Sequence, residues 1–129
     1  MSIESTLRTF LLTDSTLTGK IANRLFYAKA PQEVTKPYVV YYTLDNAKQK
    51  TMVGEDGTSP VLTFRIVTAD SLDIPIIADA IEDKIKDYTG TVGGVKIHRI
   101  WGVGSRDFPD EGDGDFFERY DDYRVEYVR

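Results

Sequence analysis

The chain has 129 residues, 41% of them hydrophobic and 12% aromatic, which suits one folded domain (1–129) and excludes a disordered segment. It has no cysteine, so disulfides and thiolate metal sites are ruled out. A formal net charge of −5 argues against wrapping a nucleic-acid duplex through phosphate contacts.

The charge is divided unevenly. Through Lys50, seven bases stand against four acids, a balance of +3; beyond it nine bases stand against seventeen acids, a balance of −8. Halves of opposite sign suit head-to-tail contact between copies, whereas chance scatter over a wet surface would give the chain no such use. The first fourteen residues lack the basic start and long apolar run of a signal peptide, so export is not expected. No stretch approaches the roughly 20 apolar residues of a membrane span.

Residues 2–12 read as a first helix. Ile3, Leu7, Phe10 and Leu11 share a face, Glu4 and Arg8 pair at i,i+4 outside, and Ser2 is an N-cap candidate. Residues 14–23 are polar and read as a turn or a short helical piece around 17–21. Residues 24–28 form a short strand candidate, ended by Ala30-Pro31. Pro37 then opens the strongest strand, 38–46, where a near-continuous apolar run predicts burial on both faces at the centre. Residues 47–60 are a polar, Gly-containing connection, either a loop or a long hairpin arm. Residues 61–68 alternate, with Leu62, Phe64 and Ile66 on one side and Val61, Thr63, Arg65 and Val67 on the other.

The clearest element follows. Over 71–88, Ile74, Ile77, Ala78, Ile81, Ile85 and Tyr88 recur at helical spacing, with Asp79, Glu82, Asp83, Lys86 and Asp87 opposite. Ser71 is the expected cap and Gly90 the expected left-handed stop. Full burial of the stripe is worth on the order of 8 kcal/mol as an upper bound. Residues 89–94 read as a Gly-rich turn. Residues 95–103 alternate, with Val95, Ile97, Arg99 and Trp101 on one side and Lys96, His98, Ile100 and Gly102 on the other. Residues 104–115 read as an acidic loop. Residues 116–129 close the chain as a long strand with Phe117, Tyr123, Val125 and Tyr127 inward. Tyr120 falls in the opposite register, which predicts a bulge near Tyr120 and Asp121. The order α-β-β-β-α-β-β predicts an α+β layer protein. Its expected core is a mixed, mostly antiparallel sheet of four to five strands, with two helices packed on one face.

Catalytic chemistry is not legible. His98 is the only histidine, so an imidazole triad or metal site would rest on one residue and distant partners. The acids Asp107, Asp110, Glu111, Asp113 and Asp115 could attract a hard cation, but the spacing of a calcium-binding EF-hand is not met. The Thr91–Lys96 segment has the glycines of a phosphate loop without its Lys-Ser/Thr or its following helix. No catalytic, cofactor-binding or metal residue is assigned and no cofactor is expected. Eight tyrosines suit a core with wet tips or a protein interface. Tyr38 to Tyr42 fit the first use, and Tyr120 and Tyr123 leave the second open.

The run Arg24-Leu25-Phe26-Tyr27, then Ala30-Pro31-Gln32, then Lys36-Pro37-Tyr38-Val39-Val40-Tyr41, resembles the tail-completion, or tail-terminator, proteins of long-tailed bacteriophages. Residues 115–120 and Asp122-Tyr123-Arg124-Val125 are similar to that family's closing strand. The early helix, the central helix and Gly94-Val95-Lys96-Ile97 follow in the same order, so the likeness spans the chain. The resemblance implies a non-enzymatic virion protein. It would form a homo-hexameric ring that caps the tail tube, ends tail growth and offers a surface to the head connector protein. It also implies partners in the tail-tube protein and in DNA that passes through without specific binding. No membrane is implied; the expected location is the neck of the virion, after assembly in the host cytoplasm. A monomer in isolation is compatible with it, since the tube can template the ring. The candidate contact residues are Lys48 and Lys50 on the basic side, and Asp110, Glu111, Asp113 and Asp115 on the acidic side. The rival expectations are a head-closure or connector protein and, in a different class, a small ligand-binding α+β domain using the acidic loop.

Overall fold

The computed structural model describes residues 3–48, 58–108 and 116–128. The chain begins with α1 (Ile3–Leu11) and α2 (Ser15–Ile21), followed by β1 (Leu25–Tyr27), β2 (Tyr38–Lys48) and β3 (Thr58–Thr68). The central helix α3 (Asp73–Ile85) comes next, then β4 (Gly90–Val92), β5 (Val95–Phe108) and β6 (Phe117–Val128). The strands form one curled sheet in the order β1-β2-β3-β6-β5-β4, parallel only between β1 and β2.

The mixed, mostly antiparallel α+β class is as expected, but the numbers are corrected. The sheet has six strands and there are three helices among the described residues, in place of four to five strands and two helices. The additional helix is α2, which is short but capped. Asp14 is extended (φ −84°, ψ 122°), and its carboxylate accepts the Leu17 amide at 2.9 Å. Leu17 and Ile21, one turn apart, are both buried. The additional strand is β4, which falls where a turn was read and hairpins onto the start of β5, Val92 opposite Val95. Three residues are too few for an alternation to show.

One apolar core lies between the helices and one sheet face. Ile3, Leu7 and Leu11 of α1, with Leu17 and Ile21 of α2, meet Ile74, Ile77, Ile81 and Ile85 of α3. The sheet contributes Val39, Leu62, Phe64, Ile66, Tyr123 and Val125, among others. The β3 alternation therefore holds as written, and β2 is buried on both faces at Val39, Val40 and Tyr41.

The ends of α3 differ from expectation. Ser71 does not cap it; Leu72 stands at the N-cap without a side-chain bond, and the Asp70 carboxylate takes the Leu72 amide instead. The helix stops at Ile85, and the left-handed residue is Asp87 (φ 60°), whose amide donates to Ile100. The predicted bulge at Tyr120 and Asp121 is absent, because β6 pairs without interruption there. The bulges sit elsewhere: in β5 between Ile97 and Arg99 and between Gly102 and Gly104, and in β2 between Thr43 and Asp45. The first of these inverts the β5 alternation. Ile97 and Ile100 both enter the core, while Arg99 and Trp101 turn to the other face.

Candidate interaction surfaces

The sheet face away from the helices carries a cross-strand polar ladder. Pairing of β3 with β6 sets Arg65 opposite Tyr120 and Thr63 opposite Asp122, and pairing of β6 with β5 sets Tyr120 opposite Arg106. Arg65 Nε donates to Glu118 Oε2, and the Tyr120 hydroxyl reaches the same oxygen at 3.4 Å. Thr63 Oγ1 donates to Asp122 Oδ1 at 2.6 Å, and Arg106 donates to Asp122 Oδ2 at 2.9 Å. The Arg106 guanidinium also lies 5.5 Å from the Tyr120 ring centroid, and that of Arg99 lies 4.7 Å from the Trp101 ring. Burial pushes the Tyr120 phenol above its usual range, helped by the Glu118 charge and opposed by Arg65. For Arg65, burial alone would lower the guanidinium, but the Glu118 hydrogen bond and charge outweigh it. Each carboxylate here already has a cationic or hydroxyl partner. A ladder of this kind fixes strand register and offers a firm, mixed-charge surface.

A second cluster sits on the helix side, where β5 and β6 run on past the core. Arg119 Nε donates to Asp121 Oδ1 at 2.9 Å and to Ser105 Oγ at 3.0 Å, and Ser105 in turn donates to Asp121 at 2.7 Å. Asp107 stands 3.9 Å from Arg119. Beside it an open cleft of about 360 Å³ runs between Ile74 and Pro75 of α3 and Phe117 of β6.

The strand pairing places the two long hairpins at opposite ends of the sheet. The β2–β3 arm ends with Lys48 opposite Thr58, beside Tyr127 near the end of β6. The β5–β6 arm ends with Phe108 opposite Glu118, beside Val67 and the start of β2. Of the sequence-chosen residues, Lys48 closes β2 in its backbone. Lys50, Asp110, Glu111, Asp113 and Asp115 lie outside the described residues, on the connections 49–57 and 109–115 that leave from these two opposite ends. No groups of three or more His, Asp or Glu positioned to hold a metal occur among the described residues. His98 is half-buried beside the β5 bulge, and Asp79 and Asp83 are exposed on α3. Tyr123, left open as an interface residue, belongs to the core. No helix among the described residues is long and apolar enough to cross a membrane.

Sequence reasoning missed the ladder of Thr63, Arg65, Glu118, Tyr120 and Asp122. Its signal was present as polar residues at every second position of the last strand, opposite a strand carrying Thr63 and Arg65 in one register.

No family model and no curated protein matches the chain. Among solved structures, it is similar to a chain of the virion of a native gene transfer agent particle, with TM-score 0.73 and 15% identity, over 99% of this chain and 96% of that one. A second solved chain is similar at TM-score 0.56 and 12% identity, over 100% of this chain and 96% of its own. At these identities the likeness is one of fold, and it covers the whole architecture from α1 to β6.

Proposed function

We propose that this protein is a structural component of a tailed phage or phage-like particle. In this reading it caps the tail tube as a ring, terminates tail growth and forms the joint between tail and head. The observation that carries the proposal is the likeness over 99% of the chain to a protein of a gene transfer agent virion. The residue pattern resembling tail-completion proteins points the same way. The arrangement of the sheet suits the role: its long hairpins leave from opposite ends, one toward Lys48 and Lys50, the other toward Asp110, Glu111, Asp113 and Asp115. A ring of identical subunits needs two unlike, complementary patches on each, and opposite charge supplies that. Six copies, a tail-tube protein on one side and a head connector on the other complete the assembly. DNA passes through without specific contacts, and acids facing the passage would repel its phosphates. The protein works at the virion neck after assembly in the host cytoplasm, and makes or breaks no bond.

Electron microscopy of particles formed without this protein tests the reading. Tails of uncontrolled length support termination. Tails of normal length beside filled capsids that leak DNA would replace it with head closure. Normal tails and sealed heads would remove it.

A further inference from the structure

Two stretches of strand in this sheet have no partner on their outer side among the described residues. The edge strand β1 covers only residues 39–41 of β2, so 42–48 run on uncovered. At the other edge β4 covers only residues 95–97 of β5. Beyond the single bond from the Asp87 amide to Ile100, residues 101–108 run on uncovered as well. Both stretches pair on their inner side, and residues 102–107 are all exposed. Unpaired amides and carbonyls in a row form a template for another strand.

The two free edges match each other in three respects. Each carries a bulge, between Thr43 and Asp45 on β2 and between Gly102 and Gly104 on β5. In each, the residue left out of the inner pairing is aliphatic and exposed: Leu44 at 58% and Val103 at 49%. They also lie diagonally, β2 free at the Lys48 end and β5 free at the Phe108 end, on opposite edges. Within one subunit β2 and β5 run antiparallel, being three antiparallel steps apart. A second copy set alongside, same face forward, therefore brings its β5 antiparallel to this β2.

The glycines agree with this. A Cβ on Gly102 would meet nothing closer than Tyr123 at 3.8 Å, and one on Gly104 nothing closer than Asp122 at 3.8 Å. The subunit itself does not require either glycine. An approaching strand gains from both, because bare backbone admits a neighbour closely.

We infer that copies of this chain join edge to edge, the free stretch of β5 in one adding to the free stretch of β2 in the next, with Val103 packed against Leu44. The inference rests on the reading that the protein forms a ring of its own copies, and names the contact that builds it. Because the contact is diagonal, each copy steps along the strand direction, and a closed ring follows if the strands tilt against the ring axis, as in a barrel. The bulges, which elsewhere blunt an edge, here confine pairing to one register.

The absence of native cysteine makes the test clean. Leu44→Cys and Val103→Cys are purified singly and as the double variant, then oxidised over a concentration series reaching millimolar. The inference expects disulfide dimers only when the two singles are mixed, and a ladder of multimers from the double variant. Gly104→Ala, whose Cβ the subunit accommodates, should leave thermal unfolding of the double variant unchanged and weaken the ladder. Dimers from either single variant alone as readily as from the mixture would overturn the inference in favour of a symmetric contact. No cross-link at any concentration would overturn it too, leaving the bulges as protection of the edges. The two readings fail separately. Multimers built by the ladder but without effect on tail length keep the edge contact and remove the tail role. Rings on tails that never cross-link do the reverse.

Discussion

Thr63 and Asp122 face each other across β3 and β6, both buried, with the threonine hydroxyl donating to Asp122 Oδ1 at 2.6 Å. Arg106 holds the other carboxylate oxygen at 2.9 Å. Replacing Thr63 by Val keeps the shape and removes the donor, which should cost about 1–2 kcal/mol. Asp122→Ala strands both partners. Because the Arg106 side chain is 49% exposed and can turn to water, its loss should stay near 2 kcal/mol, below the range for a fully buried pair. Urea midpoints should fall in both variants at unchanged m. No change in Thr63→Val would show that the hydroxyl contributes nothing to stability.

The phenol of Tyr123 gives the fold an alkaline limit. Its ring packs edge-on to Phe64 at 5.9 Å, and Phe64 stacks on Tyr41 at 6.1 Å. Burial pushes the Tyr123 hydroxyl well above the usual tyrosine range, with the charges of Asp121 and Glu82 adding to it. Burial raises Tyr41 likewise, against an opposing Arg8. The folded state thus favours the neutral phenol. The stability this contributes is complete below the unfolded value, about pH 10, and is lost as the pH rises from there toward the folded value. Denaturation curves should be flat from about pH 8 to pH 10 and fall above it. In Tyr123→Phe the fall should be shallower. An identical slope would place the alkaline loss elsewhere.

Helix α2 depends on one side chain at its start. The Asp14 carboxylate satisfies the Leu17 amide, and without it that donor has no partner in the first turn. Asp14→Ala should lower stability by about 1 kcal/mol and Asp14→Asn by much less, since asparagine caps nearly as well. The neighbouring ion pair of Lys20 with Asp73 ties α2 to α3 but is 39% and 22% exposed at its two side chains. Lys20→Ala should therefore cost no more than about 0.5 kcal/mol. A larger loss there than at Asp14 would reverse this ranking.

What the sequence disclosed follows from how local each signal is. The α3 stripe repeats every turn and the β3 alternation every second residue, so both are written in short windows. The β5 pattern was misread because a bulge after Ile97 shifts the phase, and a bulge is a property of the partner strand as much as of its own residues. Residues 104–108 looked like loop for their glycine, serine and charges. They are strand because β6 pairs with them, and pairing overrides propensity. The contact residues at the hairpin connections were chosen from charge alone. The ladder joining Arg65 to Glu118 links residues 53 apart, which only the register brings together.

The last expectation concerns those charges. If the basic connection of one copy meets the acidic connection or late strands of another, Lys48→Glu with Lys50→Glu should weaken assembly. So should charge reversal at Asp110, Glu111 and Asp113. Added salt should weaken the unaltered protein in the same direction, because exposed charges are screened over about 8–10 Å near physiological ionic strength. Either change alone could act merely by altering net charge. Mixing the two altered proteins separates the cases: reversed bases now face unaltered acids in like-charge repulsion, while reversed bases against reversed acids attract. Restored mass by light scattering in that mixture, at matched concentration, would identify a direct pairing. Unchanged mass in every variant, at a concentration where the unaltered protein assembles, would assign the acids to the DNA passage or to open solvent instead, and leave the strand edges to carry the contact between copies.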